Sequence, residues 1–369
     1  MKKVFILSSF LILTIFIAIF FITTKKNSNN FPNGELKIFC WGQYIADGSD
    51  GSANILKEFE KEHKIKISSF STFDSCEQMY AKLKYGNFNY DVIFCCDYMV
   101  KRLIKENMLH KIDHGLMKNF NNIMQQCKGE KWGYDNYNEY SIPYSWGHIG
   151  IVYNENLIEN LTGQKAKDVV TGWSSLWDKR LKNQILMFIN AKDSFAIAHK
   201  ILNNSINTTN KDEILKAAEL LKEQKPLVQA YVMDEMFDKM ENNEAAISVA
   251  YSGDIVNMMK NNKNLRYCFP KEGSNIFIDT VCIPSNAKNK ENAIKFIDFL
   301  CREDIALTNS KFLSYSTPIK KAWEIAPPDL KNNNIIYPPK KIIEKCEINM
   351  PISKEQNILM EKLWLDIKS

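Results

Sequence analysis

The residues of this chain that could do chemistry are acids and aromatic rings placed where apolar runs end. "CWGQY" carries Trp41 and Tyr44 just after one apolar run, and "CCDY" carries Cys96, Asp97 and Tyr98 after another. "NAKDSF" supplies Asp193, "AYSGD" supplies Tyr251 and Asp254, and "SYSTP" supplies Tyr315. In "NIFIDTVCIP" the acid sits inside the run, where Asp279 lies among Ile276, Phe277, Ile278, Val281 and Ile283. A charged carboxylate in such surroundings is costly unless a cation pairs with it. Carboxylates and ring faces together suit a flexible organic cation, because carboxylates pair with ammonium groups and rings hold both charge and methylenes. In a partly dry cleft an ion pair at 4 Å gives about 4 kcal/mol gross, and each cation–π contact adds roughly 0.5–2 kcal/mol. Two pairs and two rings therefore suffice for the ~8 kcal/mol of a micromolar complex after the costs of association.

Each residue also has a plainer use. Asp193 precedes a helix and could be its N-cap, and Asp97 fits a cap better than a ligand. Asp254 falls in a first helical turn, where the helix dipole favours any acid. Tyr44 and Tyr98 could be surface aromatics. Asp279 could face a structural lysine, but a mid-strand acid between isoleucines has the least local purpose. "HKIDH" puts His110 and His114 four apart, a metal-ligand spacing if helical, yet no third ligand is evident and the segment ends a helix. No P-loop, Rossmann glycine fingerprint or G-x-S-x-G occurs, and 14 glycines leave little phosphate-cradling loop. No nucleophile–base arrangement is legible, so an enzyme ranks last.

The elements that must position these residues alternate. "LKIFCW", "IKISSF" and "YDVIFCC" read as strands. The helices between and after them are "SANILKEFEKEHK", opened by Ser52, "SCEQMYAKLKY", with a Ser75-x-x-Gln78 capping box, and "YMVKRLIKENML". After "SIPYSWG", strands "IGIVYN", "QILMFIN" and "AAISVAY" alternate with helices "SFAIAHKILNN", "KDEILKAAELLKEQ" and "DIVNMMKNN". This rhythm predicts an α/β protein of two lobes with mainly parallel sheets, the chain crossing between them near Ser141–Gly147 and Ile278–Pro284. The lobe boundaries expected are 36–141 plus about 281–320 for the first and 145–278 for the second. Residues 321–369 form a segment packing on both. Ligands of open α/β sheets lie beyond the carboxyl ends of strands, so Asp279, on the second crossing, should face the cleft between lobes.

The chain has 369 residues and a formal net charge of +5, but Lys2, Lys3, Lys25 and Lys26 precede the first acid, Glu35, so the body carries about +1. No basic stripe points to nucleic acid. Residues 1–24, with an apolar run from Val4 to Ile22, read as an uncleaved membrane anchor in preference to a cleaved signal peptide, because the run is long and no A-x-A-like site follows. Lysine pairs at both ends leave its orientation open. Residues 25–35 are a polar linker. The nine cysteines are odd in number and contain no C-x-x-C, so neither a disulfide scaffold nor a zinc site is expected. Most lie inside apolar runs as small core residues.

Several segments, in register from about Leu36 to Lys321, resemble the spermidine/putrescine-binding proteins of bacterial ABC importers. They include "NYDVIFCCDYMVKRLIKENMLHKID", "EYSIPYSWG", "FPKEGSNIFIDTVCIPSNAKNKENAIKFIDFL" and "YSTP". The resemblance implies a two-lobed periplasmic-binding-protein fold of type II-like topology, with the ligand cleft between lobes. It also implies a monomer delivering a polyamine to a permease driven by a cytoplasmic ATPase, without cofactor or metal. Position by position, Asp279 resembles the central carboxylate that grips an amine, Trp41 and Tyr44 the first-strand aromatic pair, and Tyr98 their neighbour across the cleft. Asp193 resembles a second-lobe acid of spermidine binders, Asp254 an acid of putrescine binders, and Tyr315 the family tyrosine. Tyr251 and Phe277 stand where tryptophan is usual, Cys96 where serine is usual, and Gly42 where a small hydroxyl residue is usual. These departures bear on ligand choice. The same fold binding another organic cation or ferric ion, or serving as a surface sensor or adhesin, stays open.

Overall fold

The computed structural model describes residues 31–86 and 88–369. The apolar run Val4–Ile22 lies outside them, and among the described residues no helix is long and apolar enough to cross a membrane. The first half follows the expected alternation: β1 (Glu35–Trp41), α1 (Ile55–His63), β2 (Lys66–Phe73), α2 (Cys76–Tyr85), β3 (Val92–Cys96) and α3 (Asp97–Lys105). Local chemistry sets the ends. Helix α1 begins later than Ser52, because the Asn54 side chain, and not Ser52, accepts from Lys57 N at 2.9 Å. Ser75 caps α2 by accepting from Gln78 N at 3.2 Å. The returning bond of that box goes to Asp74 N, at 2.8 Å from Gln78 Oε1, one residue before the cap.

Strands β1, β2 and β3 are mutually parallel, with β1 in the middle. On the far side of β3 lies β9 (Asn275–Cys282), antiparallel to it, and then β4 (Ser141–Asn154), antiparallel to β9. The long strand β4 joins the two halves. Its first part, Ser141–His148, pairs with β9, and its second part pairs with β7 (Ile247–Tyr251) and β8 (Leu265–Cys268). Beyond β7 come β5 (Ile185–Phe188) and β6 (Val228–Val232), again parallel. The first crossing, expected near Ser141–Gly147, is therefore an uninterrupted strand. Pro143 lacks an N–H to donate, and the β4–β9 register shifts between Pro143 and Ser145.

Helices cover the sheets. Leu36, Ile38, Val92 and Phe94 pack under Phe59 of α1 and under Phe296 and Phe299 of α7 (Lys290–Leu300). In the second half, Ile185, Met187 and Val249 pack with Phe195 of the helix Ala191–Ile201 and Ala217 of the helix Lys211–Gln224. Numbered in chain order, these two are α4 and α5, followed by α6 (Ser252–Asn261), α7, α8 (Glu303–Leu313) and α9 (Lys354–Lys368). The C-terminal segment adds β10 (Glu347–Ile348) beside β9 and docks α9 by sinking Trp364 and Ile367 into the second-half core.

Candidate functional site

The ends of β1, β3, β5 and β7 and the middle of β9 face one cleft of about 2360 Å³, lined by Trp41, Tyr44, Tyr98, Asp193, Asp254 and Asp279 among others. Cys96, Tyr251, Phe277 and Tyr315 line it too. All ten residues singled out from the sequence thus lie on one surface, although they come from six separate chain segments.

The organising contact is a tyrosine hydroxyl donating to a carboxylate, and each of the four tyrosines singled out from the sequence makes one. Tyr44 donates to Asp279 Oδ2 at 2.5 Å, and its oxygen lies 3.0 Å from Ser145 Oγ. Tyr251 donates to Asp193 Oδ2 at 2.8 Å. Tyr315 donates to Asp254 Oδ1 at 2.9 Å. Tyr98 donates to Glu77 Oε1 at 2.8 Å. Each bond fixes an acid's direction while supplying no charge to neutralise it. Among the described residues, Asp279 Oδ1, Asp193 Oδ1 and Asp254 Oδ2 accept no hydrogen bond from the protein.

Asp279 sits in the centre of the sheet, opposite Cys96 of β3 on one side and Ser145 of β4 on the other. Burial pushes its carboxyl up to about 7, against the lowering pull of the Tyr44 hydroxyl and with a raising contribution from Asp97. Asp254, in the first turn of α6, is likewise pushed up to about 7 by burial. Asp193 is raised by burial and eased by hydrogen bonds from Tyr251 and Asn190. It is not the cap of α4, because Asn190 takes that place, accepting from Asp193 N at 2.9 Å. Asp193 is thereby released to point into the cleft. Asp97 is neither cap nor free acid: it opens α3 and its Oδ2 accepts from Ile278 N at 2.9 Å, tying the helix to β9.

Rings complete the lining. Phe277 meets Tyr251 edge to face at 5.5 Å and Tyr315 at 5.7 Å, a continuous wall between Asp193 and Asp254. That wall needs two glycines. A Cβ on Gly147 would lie 2.7 Å from Phe277 Cζ, and one on Gly253 would lie 2.7 Å from the Tyr315 ring. Trp41 stands edge-on to Tyr44 at 5.1 Å.

Other features were not visible in the sequence. Cys96 is bonded to Cys76, so its sulfur is no free thiol at the cleft. The pairing of residues 20 apart with no motif depends on α2 starting beside the end of β3, which is a tertiary fact. Glu77, next to Cys76, is brought in by the same proximity. Lys192 enters the cleft beside Asp193 with its ammonium 3.0 Å from the centre of the Tyr98 ring. His110 and His114 do not share a helix face: His114 begins a 3-10 turn, lies 2.8 Å from Asn138 O through Nε2 and stacks on Phe120. Among the described residues no cluster of three or more His, Cys, Asp or Glu is placed to hold a metal ion.

Two sheets joined through one long antiparallel strand, β4, with a cleft at the carboxyl ends of the others, define a two-lobed periplasmic-binding-protein fold. Residues 54–337 match the family model described as bacterial extracellular solute-binding protein, and the chain belongs to that family. It is 34% identical over 316 residues to the spermidine/putrescine-binding periplasmic protein of Salmonella typhimurium, covering 85% of this chain and 86% of that one. Among solved structures it is similar to the spermidine/putrescine ABC transporter substrate-binding protein PotD of Streptococcus pneumoniae, with a TM-score of 0.79, 31% identity, and 91% and 99% of the two chains covered. A putative spermidine/putrescine ABC transporter from Listeria monocytogenes gives a TM-score of 0.81 at 32% identity, with 90% and 98% covered. The protein therefore works outside the cytoplasm as a solute-binding component.

Proposed function

We propose that this protein captures a polyamine, putrescine or spermidine, in the cleft and delivers it to the permease of an ABC importer driven by a cytoplasmic ATPase. The observation that carries this reading is the set of tyrosine-aligned acids, each with one oxygen left without a protein partner, joined by a wall of rings. Ammonium groups would take the free oxygens and the methylenes between them would lie on Phe277, Tyr251 and Trp41. The ligand contacts in this reading are Trp41, Tyr44, Tyr98, Asp193, Tyr251, Asp254, Phe277, Asp279 and Tyr315, while Cys96 contributes its backbone and disulfide to the wall. Lobe boundaries at 36–141 plus about 281–320 and at 145–278, a membrane attachment through the N-terminal segment and a monomeric state belong to the same reading. So does binding without catalysis.

Ferric ion fits less well. It would need phenolates, whereas burial and neighbouring acids push Tyr44, Tyr98, Tyr251 and Tyr315 well above the usual phenol range. Calorimetric titration with putrescine, spermidine and an uncharged diol of matching length tests the proposal. Micromolar or tighter binding of an amine with none of the diol is the expected result. Silence for every amine would overturn it.

A further inference from the structure

Lys192 is a cation that the protein itself holds over an aromatic ring of the cleft. It is the residue before Asp193 in the first turn of α4, in the second half of the molecule. Its ammonium nonetheless lies 3.0 Å from the ring centre of Tyr98, which belongs to α3 in the first half. The contact therefore crosses the cleft. The Tyr98 ring is held beneath it by the 2.8 Å bond from its hydroxyl to Glu77. Burial lowers the lysine's tendency to hold its proton, while Asp97, Asp193 and Glu77 act the other way and favour the charged form. An ammonium over a ring, with acids around it, is the arrangement that an amine ligand would adopt.

The four tyrosine–acid pairs are thus not equivalent. Tyr44–Asp279, Tyr251–Asp193 and Tyr315–Asp254 surround the Phe277 wall with no lysine or arginine bonded to them. The fourth, Tyr98–Glu77, already has its cation. We propose that Lys192 is a built-in occupant of the Tyr98–Glu77 end of the cleft, leaving room for a ligand with two ammonium groups and disfavouring one with three. This inference rests on the reading of the cleft as an amine site, assigns its ligand length, and gives the Tyr98 face, counted above among the ligand contacts, to Lys192. A triamine extended toward Tyr98 would bring its third ammonium against Lys192, and like charges so placed repel with little water to screen them. A diamine bridging Asp254 and Asp279 meets no such opposition, because Lys192 is not among the charges that act on those two carboxyls.

The test is titration of putrescine and spermidine into the unaltered protein and into Lys192→Met, Lys192→Gln and Lys192→Arg, with melting curves to establish that each variant is folded. The unaltered protein should bind putrescine more tightly than spermidine. Removing the charge in Lys192→Met or Lys192→Gln should raise spermidine affinity about tenfold or more, the scale of one like-charge contact, and leave putrescine affinity within about threefold. Lys192→Arg should keep the original preference. Two neutral variants guard against a packing artefact in either one. If both weaken the two amines equally, Lys192 is a latch between the halves or a ligand contact, and the inference is overturned. A preference for spermidine in the unaltered protein overturns it as well. Failure of every amine to bind the unaltered protein would overturn the polyamine reading itself, an outcome distinct from binding with unchanged selectivity.

Discussion

Asp279 and Asp193 are both buried acids that accept a tyrosine hydroxyl, yet the chain holds them in different ways. Asp279 stands on β9 with strands paired on both flanks, so its backbone cannot shift without disturbing two ladders. Asp193 stands in the first turn of α4, whose N-cap Asn190 also donates to Asp193 Oδ2 at 3.1 Å. The strand site is anchored by both halves of the molecule, since β4 beside it runs through both sheets. The helix site belongs to one half alone. In the proposed reading, the acid at the shared strand is the fixed point of the cleft, and the acids at helix starts are the parts that would approach it as the halves close on a ligand.

That contrast can be broken by measurement. Asp279→Asn should cost about 3 kcal/mol of amine binding, because a buried ammonium loses its charge partner at a place that cannot rearrange. Calorimetry showing unchanged affinity would remove Asp279 from the site. Acidification should act next. In the empty cleft Asp279 and Asp254 are protonated below about pH 7. An ammonium binds only the charged form, so affinity should fall about fivefold for each such carboxyl on going from pH 7 to pH 6. In Asp279→Asn that slope should shrink by one carboxyl's share. An unaltered slope would mean that the titrating group lies elsewhere.

The same groups set a stability trend with a definite sign. A carboxyl held near 7 in the folded protein and near 3.8 when unfolded keeps its proton longer in the fold. Its contribution to stability therefore falls as pH rises from about 4 to about 7. The empty protein should melt at a lower temperature at pH 7.5 than its other groups alone would set, and a bound amine should recover the difference. Asp193→Asn should be milder than Asp279→Asn, about 1–2 kcal/mol of binding, because Asn190 and Tyr251 can still orient the amide. Equal losses at the two positions would erase the distinction between strand and helix sites. The smallest effect is expected for Phe277→Leu, about 1 kcal/mol, through loss of one ring face over the methylenes while apolar volume is largely kept. Competition between amines of different length would read it.

Much of this arrangement was legible in the sequence, and the reasons differ by residue. Asp279 stood out because an acid among Ile276, Ile278 and Val281 has no local use, and the structure gives it no lysine partner. The alternation of strands and helices placed Trp41, Cys96, Tyr251 and Asp193 at strand ends, which is where an open α/β sheet puts its cleft. Asp193 and Asp254 were ambiguous because a helix start favours acids for its own sake. Only the structure shows that Asn190 does the capping. Glu77 and Lys192 carried no local signal, since an exposed-looking acid or lysine in a helix's first turn is common. Their meaning comes from the approach of α2 and α4 to Tyr98. The Cys76–Cys96 bond was hidden for the same reason, and the His110/His114 spacing, set aside in the sequence for want of a third ligand, falls on a segment that is not helical. Periodicity reports which face of an element is wet; it does not report which elements meet.

The position of β9 in the first sheet has a consequence for the order in which the chain can fold. Strand β3 ends at Cys96, and the strand that completes its free edge begins at Asn275. The first sheet therefore stays open along that edge until most of the chain has been made. Contacts so distant in sequence are reached slowly, because the loop between them must close before they give any return. A half-made chain of this design cannot complete its first lobe by itself. It stays extended for longer, which is the state in which a polypeptide can thread through a membrane before it folds on the other side.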